Sequence, residues 1–250
     1  MDPHRDLVQQ CLALIDQDQS DEAVRLVEGV VQQHQDDGYV WQLLGLLRHR
    51  TRDMKGAQGA LETSSLLVPL KPSARCALAD CYARTGHQDL AVDLYNDLAA
   101  DARCPTELLG TIASGLGALG QHEFALEVCR TLVRREPDCP EGHFGIAYYL
   151  RRLGASIAVA LPSATRAQEL APQDPLYTVA LASMFAHLGR HEEARDLLRD
   201  LDPTTVTCRC CLQRMSAILL HGSSTPGPQK TSEPHTHQDK PDGPEHASGA

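Results

Sequence analysis

The sequence predicts an all-α fold, an array of about six helix–turn–helix units, and three observations carry that prediction. Small residues recur at Cys11, Gly45, Ala79, Ala113, Ala147 and Ala182, at intervals of 34, 34, 34, 34 and 35 residues. A second series, Ala23, Ala57, Ala91, Ala125, Ala160 and Ala194, runs in phase with the first, and both place a single extra residue between Ala147 and Ala160. The composition is 42% hydrophobic but only 4% aromatic, rich in Ala and Leu and poor in β-branched runs, which favours packed helices over sheets. A unit of this length cannot bury its apolar face alone and must stack on its neighbours.

The elements follow from the spacing. Two antiparallel helices approach closely only where the facing side chains are small, so the two series mark the crossing points of each hairpin. Gly86, Gly120, Gly154 and Gly189 each stand seven residues after the small residue of their unit. A glycine there ends the first helix, because the chain needs a positive φ to turn away. These glycines confine the extra residue to the turn or first helical turn of the fifth unit. Pro69, Pro137 and Pro172 close second helices, and Arg103 takes that place in the third unit. Trp41, Leu44, Leu47, Leu78, Tyr82, Ile112, Leu116, Ile146, Leu150, Leu181 and Phe185 fall at helical spacing and are expected to form one continuous spine. The units are residues 4–37, 38–71, 72–105, 106–139, 140–174 and 175–203.

At these positions the sequence resembles the tetratricopeptide repeat family, whose unit runs Trp, Leu, Gly, Tyr, then Gly, Ala, an aromatic, Ala and Pro. The second unit matches with Trp41, Leu44, Gly45, Ala57, Leu61 and Pro69, and the third with Leu78, Ala79, Tyr82, Gly86, Ala91, Tyr95 and Leu98. The first unit lacks the glycine and the proline, and the fifth has the apolar run Ala155 to Ala160 where its neighbours carry polar turns. The resemblance implies a right-handed α-α superhelix that serves as a non-catalytic protein–protein interaction module, adaptor or chaperone-like, with first helices lining a concave groove.

The ends differ from the array. Residues 204–221 read as a capping helix, with Cys208, Cys211, Leu212, Met215, Ile218 and Leu219 on one apolar stripe. Residues 222–250 hold almost no large apolar side chain and are expected to be a disordered tail.

A net charge of -10 without clustered Lys or Arg argues against nucleic acid as a partner. No segment approaches 18 uninterrupted apolar residues and the first ten residues lack a leader pattern, so a soluble, unexported protein with no membrane contact is expected. Nine scattered cysteines, an odd number, fit a reduced cytoplasmic protein better than a disulfide framework. No Ser/His/Asp arrangement, phosphate loop or inward pair of carboxylates stands apart from the repeats, so neither catalysis nor a cofactor is expected. His87, His122 and His191 recur in the turns and read as solvated side chains, too far apart to share a metal.

Groove candidates are the residues of first helices offset from the spine: Tyr39, Gln42, Arg50, Arg84, Thr111, Ser114, Phe144, Tyr148, Arg152 and His187. Gly110, Thr111, Ser114, Gly117 and Ala118 read as a hollow floor flanked by Phe144 and Tyr148, able to take an apolar anchor of a peptide. Arg50, Arg84, Arg151 and Arg152 would favour acidic residues beside it. One binding mode of the resembled family clamps a chaperone's C-terminal carboxylate with groove Lys, Asn and Arg residues. The single asparagine here, Asn96, falls on a second helix, which argues against that clamp. The partner is otherwise an unidentified protein or peptide. The alternative chemistry is a metal or thiol site at Cys208, Cys210, Cys211 and His221, set against their plainer role as small apolar residues of the cap.

Overall fold

The structure, a computed structural model, describes residues 3–220; His221 and the expected tail at 222–250 lie outside the described residues. Thirteen α-helices and no strand occur among those residues. In chain order they are α1 (Pro3–Asp16), α2 (Ser20–Gln33), α3 (Gly38–Arg50), α4 (Met54–Leu67), α5 (Pro72–Thr85), α6 (Gln88–Ala100), α7 (Thr106–Ala118), α8 (His122–Arg135), α9 (Pro140–Arg152), α10 (Ile157–Leu170), α11 (Pro175–His187), α12 (His191–Leu198) and α13 (Arg209–Leu220). Each helix packs on the next, and α1, α3, α5, α7 and α9 also touch in succession, whereas the even-numbered helices make no comparable contact with one another. The array therefore curves with its odd-numbered helices inside.

The crossing points are tight. All six alanines of the second series are fully buried, and Cys11, Ala79, Ala113, Ala147 and Ala182 of the first are buried as well. A Cβ on Gly45 would come 2.5 Å from Leu61, so the glycine is what lets α3 and α4 meet.

Gly86, Gly120, Gly154 and Gly189 sit at φ of 95°, 76°, 81° and 76°, the left-handed turn expected after each first helix. In the first two units, where no glycine marks it, the same seat is filled by Asp18 (φ 59°) and Arg52 (φ 68°). Helix α10 begins three residues after Gly154, against two residues after the glycine for α6, α8 and α12, so the extra residue lengthens a turn. Helices α4, α8 and α10 stop two residues short of Pro69, Pro137 and Pro172. Pro162 lies inside α10, where it costs the helix the hydrogen bond that the Ala158 carbonyl would otherwise accept.

Aspartates that the sequence reading did not single out start several helices. Asp37 accepts from the backbone N–H groups of Tyr39 (3.0 Å) and Val40 (3.3 Å), and Asp53 and Asp174 cap α4 and α11 in the same way. The other oxygen of Asp37 lies 2.7 Å from His4 Nε2, tying α1 to the start of α3. Burial works against charge on Asp37, but the bonds from His4, Val40 and Tyr39 outweigh it and hold its pKa below the ordinary value.

The expectation of one continuous spine is corrected: the buried apolar side chains form five clusters. Half-buried residues at the seams bridge four of them, with Tyr82 and Leu94 at one seam, Leu150 at the next, and Phe185 and Leu197 at the third. The cluster built on Cys11, Val27 and Leu44 shares no member with the rest.

Helix α13 covers α11 and α12. Cys211 and Met215 are buried there with Val179, Ala182, Leu198 and Val206, while Leu212 and Ile218 pack at the edge. Cys208 and Leu219, expected on the buried stripe, are exposed instead. The helix starts at Arg209, so Cys208 stands outside the helical register. No helix among the described residues is long and apolar enough to cross a membrane.

Candidate functional site

Among the described residues, four hollows on the inner face run into one another. The first is lined by Leu7, Tyr39, Gln42, Lys71 and Ser73, among others. The second shares Leu46 and Ser73 with it and continues over Asp80, Arg84, Thr111 and Ser114. The third shares Ser114 and reaches Phe144 and Tyr148, and the fourth starts at those two rings and extends to Ser183, His187 and Arg214. Together they make a trough along the odd-numbered helices.

Of the residues predicted from sequence, Tyr39 and Gln42 line the first hollow, and Arg84, Thr111 and Ser114 the second. Phe144 and Tyr148 line the third and fourth, and Arg152 and His187 the fourth. Arg50 lines none of them, because it is the last residue of α3 and stands beyond the edge. Gln42 is only 3% exposed. Its Oε1 accepts from the Lys71 N–H at 3.3 Å, and its Nε2 has no partner. A buried amide donor without an acceptor is costly.

The third hollow encloses about 370 Å³. Gly110 opens into it, since a Cβ there would meet nothing within 4 Å. Phe144 stacks with Tyr148 at 6.3 Å and tilts against Tyr177 at 5.1 Å, so one wall is aromatic. Gly117, read as part of this floor, turns away from it. Tyr149 occupies the space beside Gly117, and the Tyr149 hydroxyl donates to the Ala113 carbonyl at 2.8 Å.

Charge is distributed unevenly along the trough. Arg84, expected to attract acidic residues, is already paired through its Nε with Asp80 at 2.9 and 3.0 Å. Asp80 also meets His49 Nε2 at 2.8 Å. The fourth hollow is lined by Arg151, Arg152, His187 and Arg214 and by no carboxylate. Arg152 Nε points at His122 Nε2 at 3.3 Å, and the His122 ring stacks 6.0 Å from Tyr149. His122 is therefore half-buried and not the solvated turn residue its position predicted. Arg214, Met184 and Tyr177 were not singled out by sequence. Arg214 in particular carries no periodic signal, because α13 lies outside the repeat.

The thiols of the cap converge. The sulfurs of Cys208, Cys210 and Cys211 all lie within 4.8 Å of one another, with Cys208 and Cys210 exposed and Cys211 buried. The hydrogen bond with Cys210, followed by those from backbone N–H groups at the start of α13, lowers the Cys208 pKa to about 7. Burial raises Cys211 to about 12. Burial likewise raises Cys76 and Cys81 to about 11 and Cys129 to about 12, which leaves those core thiols protonated and inert.

Residues 156–204 match the tetratricopeptide repeat family model. No match is found among curated proteins. Among solved structures, a tetratricopeptide repeat protein from Parabacteroides merdae superposes with a TM-score of 0.66 at 14% identity, over 86% of this chain and 85% of that one. The C-terminal part of a repeat-containing protein from Cytophaga hutchinsonii gives 0.64 at 14% identity, over 76% and 79%. YrrB, described as a tetratricopeptide repeat protein with an unusual peptide-binding site, gives 0.56 at 14% identity, over 76% and 97%. The chain has the all-α superhelical solenoid fold of these tetratricopeptide repeat structures, and within it residues 156–204 match the sequence model of that repeat.

Proposed function

We propose that the protein is a non-catalytic adaptor or chaperone-like module, working in the reducing cytoplasm, that holds an acidic peptide segment in its trough. The carrying observation is the junction of the third and fourth hollows. There an aromatic-walled recess able to take an apolar anchor opens onto a basic recess with no carboxylate in its lining. In a chain of net charge -10, such a local reversal of sign steers acidic partners to this face. The fold-level likeness to YrrB, named for a peptide-binding site, supports a peptide ligand. Asn96 lies on α6 and lines none of the four hollows, which keeps a chaperone-type carboxylate clamp improbable.

The test is an array of acidic peptides, each carrying one Leu or Phe anchor, probed with the full chain and with Phe144→Ala and Tyr148→Ala. Neither side chain is fully buried, so helicity is expected to persist. Truncating a central aromatic contact typically removes about 2 kcal/mol, roughly thirtyfold in affinity. Captured peptides should also be lost as salt is raised. Equal capture by both variants, or a preference for basic peptides, would rule this reading out.

A further inference from the structure

Three cysteine sulfurs meet where α13 begins, at a point the trough does not use. Cys208 immediately precedes the helix, Cys210 and Cys211 are its second and third residues, and their sulfurs all lie within 4.8 Å of one another. No other group of three or more His, Cys, Asp or Glu among the described residues is placed to hold a metal ion. Two of these side chains are exposed and one is buried against the core of α11 and α12, so the cluster is anchored on its inner side and open to solvent on its outer side.

We propose that Cys208, Cys210 and Cys211 bind one Zn²⁺ ion through three thiolates, with the remaining coordination position open to water or to a side chain of a partner. An all-sulfur donor set selects a soft or borderline cation over Mg²⁺ or Ca²⁺, which take oxygen. Zn²⁺ at about 2.3 Å from each sulfur in tetrahedral geometry keeps the sulfurs about 3.8 Å apart. The Cys208 and Cys210 sulfurs now stand 2.7 Å apart, and both side chains are exposed, so a rotation of roughly 1 Å at either one opens the site. Three thiolates around a divalent ion leave one net negative charge. The backbone N–H groups of Cys210 and Cys211, which bond to the Cys208 sulfur at the start of α13, offset part of it, and Arg209, next to Cys208 in the chain, adds a positive charge. The ion takes the place of up to three thiol protons, which are released to solvent on binding. All three ligands come from the start of α13, so the bound ion would fix the first turn of the cap, with Cys211 reaching it from the buried face. This site is independent of the peptide reading of the trough.

The experiment uses the full chain, fully reduced and stripped of metal, titrated with Zn²⁺ in competition with a chromophoric chelator, and with Co²⁺ as the spectroscopic probe. One ion per chain is expected, together with a thiolate-to-Co²⁺ charge-transfer band in the near ultraviolet. Cys208→Ser combined with Cys210→Ser removes two exposed ligands and leaves the buried Cys211 in place, so circular dichroism should remain unchanged. Its Zn²⁺ affinity should fall by more than the 10–100-fold that loss of an outer-shell partner typically costs. A reduced chain that leaves Zn²⁺ with the chelator, or a double variant that takes up as much as the parent, overturns the site. So does a chain that binds no ion when reduced but closes a Cys208–Cys211 disulfide on mild oxidation.

Discussion

The three glycines of α7 show how much a single position depends on what stands opposite it. Gly110 faces the open third hollow, whereas a Cβ on Gly115 would come 2.5 Å from the Tyr95 ring, and one on Gly117 would collide with Tyr149. Gly115 and Gly117 are thus seats for tyrosines that arrive from α6 and α9. Gly117→Ala should destabilise the chain by about 1–3 kcal/mol, the usual cost of overpacking, and release the Tyr149 hydroxyl from the Ala113 carbonyl. Gly110→Ala should be neutral or should stabilise by up to about 1 kcal/mol, since alanine suits a helix better than glycine. Thermal denaturation of the two variants side by side distinguishes them, and equal midpoints would remove the tyrosine-seat argument. The sequence reading grouped Gly110 and Gly117 as one floor. Periodicity locates small residues along the chain, but the side a glycine faces is decided by neighbours from other units. The same limit hid Arg84's pairing with Asp80, which leaves it a weaker lure for acidic partners than its position implied.

At the scale of elements, the hairpins were legible because the signals that define them fall within one 34-residue period. The buried alanines, the left-handed glycines and the prolines after second helices all stand where the spacing puts them. The turns of the first two units carry no glycine, because Asp18 and Arg52 occupy the left-handed seat. A residue with a Cβ pays roughly 1–2 kcal/mol for that conformation. Arg52→Gly relieves it at the expense of a more flexible unfolded chain, for a net gain of about 0.5–1 kcal/mol. The variant should melt a few degrees higher, while Arg52→Val should melt lower; the reverse order would mean that the Arg52 side chain, and not the backbone angle, sets the local stability. Pro162 had no counterpart in other units, and α10 accommodates it near its start with an exposed ring. The cap was legible as an amphipathic helix, but its exact start was not. That one-residue question decides whether Cys208 is a core residue or an exposed thiol.

Over the whole molecule, the array is a chain of local cores, and the largest of them holds most of the groups that respond to alkali. Cys76, Tyr95, Cys129 and Tyr149 all belong to the central cluster formed by α5 to α9. Burial raises Cys76 from the ordinary 9.0 to about 11, Cys129 from 9.0 to about 12 and Tyr149 from 10.0 to about 12, and it raises Tyr95 as well. Each of these acids is neutral when protonated and has a folded pKa above its unfolded one. Its contribution to stability is therefore complete below the unfolded value and is lost as pH climbs toward the folded value. Within that interval each thiol removes about 1.4 kcal/mol per pH unit, because the unfolded chain ionises while the folded one resists. Helicity should hold up to about pH 9 and fall between there and pH 11–12. In a nearest-neighbour array the loss should begin where the buried acids are concentrated. Hydrogen exchange at rising pH, corrected for its intrinsic pH dependence, should show α5 to α9 losing protection before α1 to α3. Cys129→Ala removes the ionisable group without adding bulk to a tightly packed site, and it should move the midpoint of the transition to higher pH. An unmoved midpoint, or an amino-terminal unit that opens first, would mean that alkali does not act through the buried thiols and tyrosines of this cluster.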